Sequence, residues 1–166
     1  MIQINLNGNL ISSNSKEAYF LEKTKKIGEK QEEKIIYSIP ESLYLLKKNK
    51  AEIKIRNKKI GFEEALEHFS KKDKNCFNKF LVYRSLREKG YIPKAGLKFG
   101  ADFRIYDKNE KHSKWILLIK NNNEKINLQE FSSKNRVAHS TKKKILLAII
   151  DSEKEILFYE INWIKI

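Results

Sequence analysis

Few side chains in this sequence could carry a proton near neutral pH or act as a nucleophile. It holds three histidines and a single cysteine, Cys76. His68 lies among Glu63, Glu64 and Glu67 and reads as a helix-surface residue. His139 follows Ala138 ahead of a lysine run, where a structural or capping role is the ordinary one. His112 stands apart, in a short charged loop after a strand-like run that ends in Tyr106. Further on, Lys142-Lys143-Lys144 precedes an apolar run at 145–150. A histidine is a natural general acid. A lysine is a point cation suited to phosphate. A tyrosine is a poor base unless nearby cations make it a better one, and the surroundings here are rich in lysine. Together these types could break an RNA strand through its own 2′-hydroxyl. One group takes the 2′ proton, a second protonates the leaving 5′ oxygen, and a cation neutralises the crowded phosphate. Taken singly, each has a plainer explanation: a half-buried strand aromatic, a solvated loop residue, a solvated basic run. The same half holds no dense Asp/Glu set that would demand a pair of metal ions.

The elements that must position these groups are read from periodicity. Residues 1–6 alternate as a strand, and Asn7-Gly8 signals a hairpin leading to Leu10-Ile11. Ser15 can cap a helix that ends near Gly28. Residues 34–39 read as a short strand, Pro40 opens a helix carrying Leu43 to Leu46, and after a polar stretch 62–69 forms another helix. A polar, lysine-rich passage at 70–75 marks a domain boundary, giving domains 1–72 and 73–166. Beyond it come a helix at 76–89, stopped by Gly90, and strands at 102–106, 115–120, 145–150 and 156–161. A short helix at 128–138 precedes the third of these strands. This order predicts a compact α/β domain after a small α+β unit.

Composition narrows the partners. Of 166 residues, 35 are Lys or Arg against 21 Asp or Glu, a formal charge of +14. Such an excess attracts polyanions, of which nucleic-acid backbones are the commonest. Lys, Asn and Ile are heavily used throughout, yet a lysine-rich proteome does not by itself create a surplus of basic over acidic residues. One cysteine excludes an internal disulfide and offers no zinc cluster. No apolar run approaches the roughly 18–20 residues of a membrane span, and the first residues lack the basic start and continuous apolar stretch of a signal peptide. The chain is therefore expected to be cytoplasmic.

Several blocks carry a resemblance. They are Val82-Tyr83-Arg84-Ser85-Leu86-Arg87-Glu88-Lys89-Gly90-Tyr91, then Lys94-Ala95-Gly96-Leu97-Lys98-Phe99-Gly100-Ala101-Asp102-Phe103-Arg104-Ile105-Tyr106, then His112-Ser113. After these come Arg136-Val137-Ala138-His139-Ser140-Thr141-Lys142-Lys143-Lys144 and the apolar run closed by Asp151. In order, type and spacing they resemble the catalytic domain of the tRNA-splicing endonucleases of archaea and eukaryotes, from about Phe80 to the C-terminus. The first half is similar only in length and in its mixed helix-strand character.

The resemblance implies a small N-terminal α/β domain and a C-terminal domain similar to restriction-nuclease folds, an α+β or α/β protein overall. It implies metal-independent cleavage without a cofactor, leaving a 2′,3′-cyclic phosphate and a 5′-hydroxyl, with Tyr106, His112 and Lys143 as the catalytic residues. The family commonly shows a basic residue followed by the catalytic lysine, which puts Lys142 first and Lys143 second. The loop from the tyrosine to the histidine is shorter here than in many relatives. The implied substrate is a precursor tRNA in which two bulges flank a short helix. Arg136 matches the first of two arginines that hold an extruded base, with Lys142 beside it as an RNA contact. The second place falls on Trp163, which could stack on the base or pack with Ile161, Ile164 and Ile166.

Two cuts on one substrate call for two active sites held by symmetry. The implied assembly is a homotetramer, or a heterotetramer with a structural subunit. The acidic loop 151–155 is the candidate to dock in a basic groove, and 156–161 could add a strand across an interface or close an intramolecular hairpin. Two other readings remain open at this stage: a non-catalytic structural subunit of the same assembly, and a general basic nucleic-acid-binding protein.

Overall fold

The computed structural model describes every residue except Lys165. The chain divides into two compact units, Met1–Arg84 and Ser85–Ile166.

In the first unit, β1 (Ile2–Asn7) buries Ile2, Ile4 and Leu6 by strand alternation. Asn7 pairs with Leu10, so the turn is Gly8-Asn9, one residue later than the sequence suggests, with Gly8 at φ +63°. There follow β2 (Leu10–Ser13), α1 (Lys16–Lys25), β3 (Glu29–Gln31), β4 (Lys34–Ile36) and α2 (Ile39–Lys47). Ser15 caps α1, its hydroxyl accepting from the Ala18 amide. A capping box opens α2: the Glu41 carboxylate accepts from the Ser38 amide at 2.9 Å. The polar stretch that follows is a hairpin, β5 (Ala51–Ile55) and β6 (Lys58–Ile60), before α3 (Phe62–Ser70). The sheet runs β3-β4-β2-β1-β5-β6, with β1 and β5 parallel. Its core holds Ile4, Ile35, Leu43, Leu45 and Ile53, all fully buried.

The division between units falls inside α4 (Cys76–Glu88). The second unit continues with β7 (Ile92–Ala95), a 3-10 turn (Leu97–Phe99), β8 (Phe103–Tyr106), β9 (Trp115–Asn121), α5 (Leu128–Ser140), β10 (Lys144–Ile150) and β11 (Ile156–Ile161). Its sheet runs β11-β10-β9-β8-β7. Only β9 and β10 are parallel, and α5 supplies the crossover a parallel pair requires. Asn127 caps α5 by accepting from the Glu130 amide at 3.0 Å. The helix contributes Ala138, with Phe131 at the margin, to a cluster with Ala101, Ile116, Leu118, Ile145 and Leu147, against which Phe99 also packs. Truncating a fully buried isoleucine such as Ile116 or Ile145 to alanine costs about 2–5 kcal/mol, so this cluster holds the strands that carry the site. The mixed α/β class read from the sequence is the class observed. Among the described residues no helix is long and apolar enough to cross a membrane.

Candidate active site

Register brings the chemistry-bearing residues to one end of the second sheet. Ile105 of β8 pairs with Trp115 of β9, and Trp115 pairs with Lys144 of β10. Since β8 runs against β9 and β9 runs with β10, the end of β8 and the starts of β9 and β10 lie side by side. The Lys114 amide donates to the Ile105 carbonyl at 2.8 Å, and the Lys144 amide donates to the Lys114 carbonyl at 3.1 Å. Tyr106 and Lys143 each stand one residue beyond this row. Two strand spacings separate their backbones, roughly 10 Å. His112 is exposed on the connecting loop, two residues before Lys114.

Strand alternation then sorts the faces. Ile105, Trp115 and Lys144 share one face; Arg104, Ile116 and Ile145 share the other, which α5 covers. Tyr106 alternates onto the α5 side, where the Arg104 guanidinium lies 5.6 Å from its ring centre. Lys143 is set by the end of α5. Lys142 takes a left-handed conformation, φ 56°, just past the helix. Its amide donates to His139 at 3.0 Å and that of Lys143 to Ala138 at 2.8 Å, the paired bonds of a Schellman cap. The Lys143 ammonium donates to the Thr141 carbonyl at 3.0 Å and lies 5.1 Å from the centre of the Phe99 ring.

The three lysines thus occupy three environments. Lys142 is exposed on the cap and Lys143 is half-buried on the α5 side. Lys144 points to the opposite face, where it makes a 2.7 Å ion pair with Glu160. Glu160 also accepts from the Trp115 indole at 2.7 Å. The bond from Lys144, then that from Trp115, holds the Glu160 carboxyl below the usual carboxylate range.

Trp163 is 50% exposed, so it is not a core residue. Its ring centre lies 4.4 Å from that of His139, the planes inclined at 47°. Arg136 is one helical turn before His139 and on the same face of α5. The link from His139 to Trp163 joins distant parts of the chain and has no local signal in the sequence. Cys76 is no candidate nucleophile: burial, then the Asp73 charge, pushes its thiol up to about 11.

Residues 76–158 match the family model described as tRNA intron endonuclease, catalytic C-terminal domain. A tRNA-splicing endonuclease of Pyrococcus abyssi is 36% identical over 138 residues, covering 83% of this chain and 81% of that protein. One of Nanoarchaeum equitans is 41% identical over 135 residues, 75% of this chain and 86% of its own. One of Thermococcus gammatolerans is 30% identical over 167 residues and covers 99% of both chains. The likeness therefore runs through the first unit as well, beyond the stretch from Phe80 onward that the sequence motifs cover.

Proposed function

The chain belongs to the tRNA intron endonuclease family, whose catalytic C-terminal domain it carries, and from that premise we propose that it excises introns from precursor tRNA at bulge-helix-bulge sites. The cut leaves a 2′,3′-cyclic phosphate and a 5′-hydroxyl, and needs no metal. Tyr106 takes the 2′ proton, His112 protonates the leaving 5′ oxygen, and Lys143 stabilises the charge on the phosphate. The observation that carries this reading is the register row Ile105–Trp115–Lys144, which supports the gathering of all three residues at one sheet end. A structural subunit would be expected to lack part of this set, and the set here is complete. A domain boundary near residue 72 is supported by the family model beginning at residue 76.

The three lysines test the assignment. In single-turnover cleavage of an intron-containing precursor, Lys143→Ala is expected to lower the rate by roughly 100-fold or more, as for loss of a donor aimed at the transition state. Lys142→Ala is expected to weaken binding and flatten its salt dependence while chemistry stays nearly intact. Should Lys142→Ala or Lys144→Ala prove the dead variant, the catalytic lysine is misassigned by one position.

RNA binding is assigned to Arg136, Trp163 and Lys142. The extruded base enters between the Arg136 guanidinium and the Trp163 indole, where one stacked base is worth about 1–3 kcal/mol. The exposure of Trp163 and its contact with His139, which shares a face of α5 with Arg136, support this.

Two bulges need two active sites, so the active species holds two catalytic copies, as a homotetramer or as a heterotetramer with a structural subunit. β11 is an edge strand with Leu157 and Tyr159 54% and 49% exposed, which supports strand addition across an interface. The loop 151–155 joins β10 to β11, and Asp151 shapes it by accepting from the amides of Glu153 and Glu155, both at 2.9 Å. Charge reversal is therefore best confined to Glu153→Lys and Glu155→Lys. Light scattering is expected to show this double variant split into smaller species at low salt, whereas the wild-type contact itself weakens as salt rises. An intact, active double variant would remove the loop from the interface, and a fully active wild-type monomer would remove the need for assembly.

A further inference from the structure

We propose that Phe99 is a positioning residue that holds the Lys143 ammonium ready for the scissile phosphate, an inference that rests on the reading of Lys143 as catalytic. A lysine stem has four rotatable bonds, and an unheld ammonium samples many positions around its Cα. Two contacts limit that freedom here: the Thr141 carbonyl at 3.0 Å and the Phe99 ring at 5.1 Å. The neighbouring lysine gives the contrast. Lys144 is held by a carboxylate, Glu160, which neutralises it. A ring and a carbonyl hold a cation through partial charges and leave its full charge for an anionic substrate.

The ring itself is fixed by a built platform. Phe99 closes the 3-10 turn, its amide donating to Gly96 at 2.9 Å, that of Gly100 to Leu97 at 3.0 Å, and that of Ala101 to Gly96 at 3.2 Å. Gly96 has no room for a side chain, since a Cβ would lie 2.7 Å from the Ala101 carbonyl oxygen and 2.8 Å from the Phe103 carbonyl carbon. Gly100 turns the chain with φ +62°. Lys134 ties the turn to α5 by donating to the Gly100 carbonyl, and is itself paired with Glu130 at 3.3 Å. The inner side of Phe99 rests on the buried cluster that includes Ile116 and Ile145. The same ring borders an open cleft of about 580 Å³ between the turn and α5, so Phe99 itself is only partly covered.

The test is single-turnover cleavage with a double-mutant cycle. Phe99→Leu is expected to lower the rate constant about tenfold, within the range between an exposed and a desolvated cation–ring contact, with substrate affinity changed by less than about twofold. Phe99→Tyr, which keeps the ring, is expected to restore it. In a Lys143→Ala background, Phe99→Leu is expected to cost nothing more, because its effect passes through the lysine. In the wild type, the ε-methylene protons of Lys143 are expected at upfield NMR shifts from the ring current. If Phe99→Leu does not fold, that shift decides alone, and its absence overturns the proposal. Full activity of a folded Phe99→Leu beside a dead Lys143→Ala overturns this inference only. A fully active Lys143→Ala overturns the reading of the site and this inference with it.

Discussion

His112→Ala is expected to cleave precursor tRNA roughly 100- to 10,000-fold more slowly than the wild type in single turnover, the range for a lost general acid. The position makes the experiment clean. His112 is exposed, so its truncation opens no cavity and removes no buried hydrogen bond. The loop that carries it is held by other groups. The Lys108 amide donates to the Asp107 side chain at 2.8 Å, and the Lys114 amide pins the loop's end to β8. The melting temperature and the affinity for precursor tRNA should therefore stay close to wild type while the chemical step collapses. That combination separates a proton donor from a residue that merely shapes the loop. A variant that retains more than about a third of the wild-type rate would show that another group protonates the 5′ oxygen.

The ends of β8 and β10 were legible because both strands have strong apolar patterns, and the placement of Tyr106 and Lys143 follows from those ends. What the sequence could not show is which way each lysine points. That depends on cross-strand register and on Glu160, a residue of another strand. Phe99 and His139 were unreadable as partners of Lys143 and Trp163 for the same reason, since both contacts are tertiary. Four strands escaped notice, the short, wholly exposed β3 and also β5, β6 and β7. In β5, Glu52 and Lys54 alternate with Ala51 and Ile53, and the charged side masks a strand whose identity comes from parallel pairing with β1. The β5–β6 turn is Arg56-Asn57, with φ 47° and 66°, where an arginine gives no turn signal. β7 contains Pro93, which argues against a strand unless the strand lies at an edge, and β7 does.

Replacing the 2′-hydroxyl at the cut site by hydrogen is expected to abolish cleavage while leaving binding nearly unchanged. The proposed nucleophile belongs to the substrate, and Tyr106 has no proton to remove once that hydroxyl is gone. Binding should survive because phosphate contacts and a stacked base, the roles given to Lys142, Arg136 and Trp163, do not involve the reacting oxygen. The companion result is activity in excess EDTA. His112, Tyr106 and Lys143 between them supply an acid, a base and a fixed cation, so each demand of the transition state is met by a side chain. Ends formed in EDTA should carry a cyclic phosphate, because attack by the neighbouring 2′ oxygen closes a ring before any water enters. Efficient cutting of the deoxy substrate would mean that water attacks directly. Loss of activity on chelation, restored by magnesium, would mean that a metal ion does the work assigned here to Lys143. Either result would leave the fold and the family standing and would remove the mechanism, since the mechanism alone requires the ribose hydroxyl and dispenses with the ion.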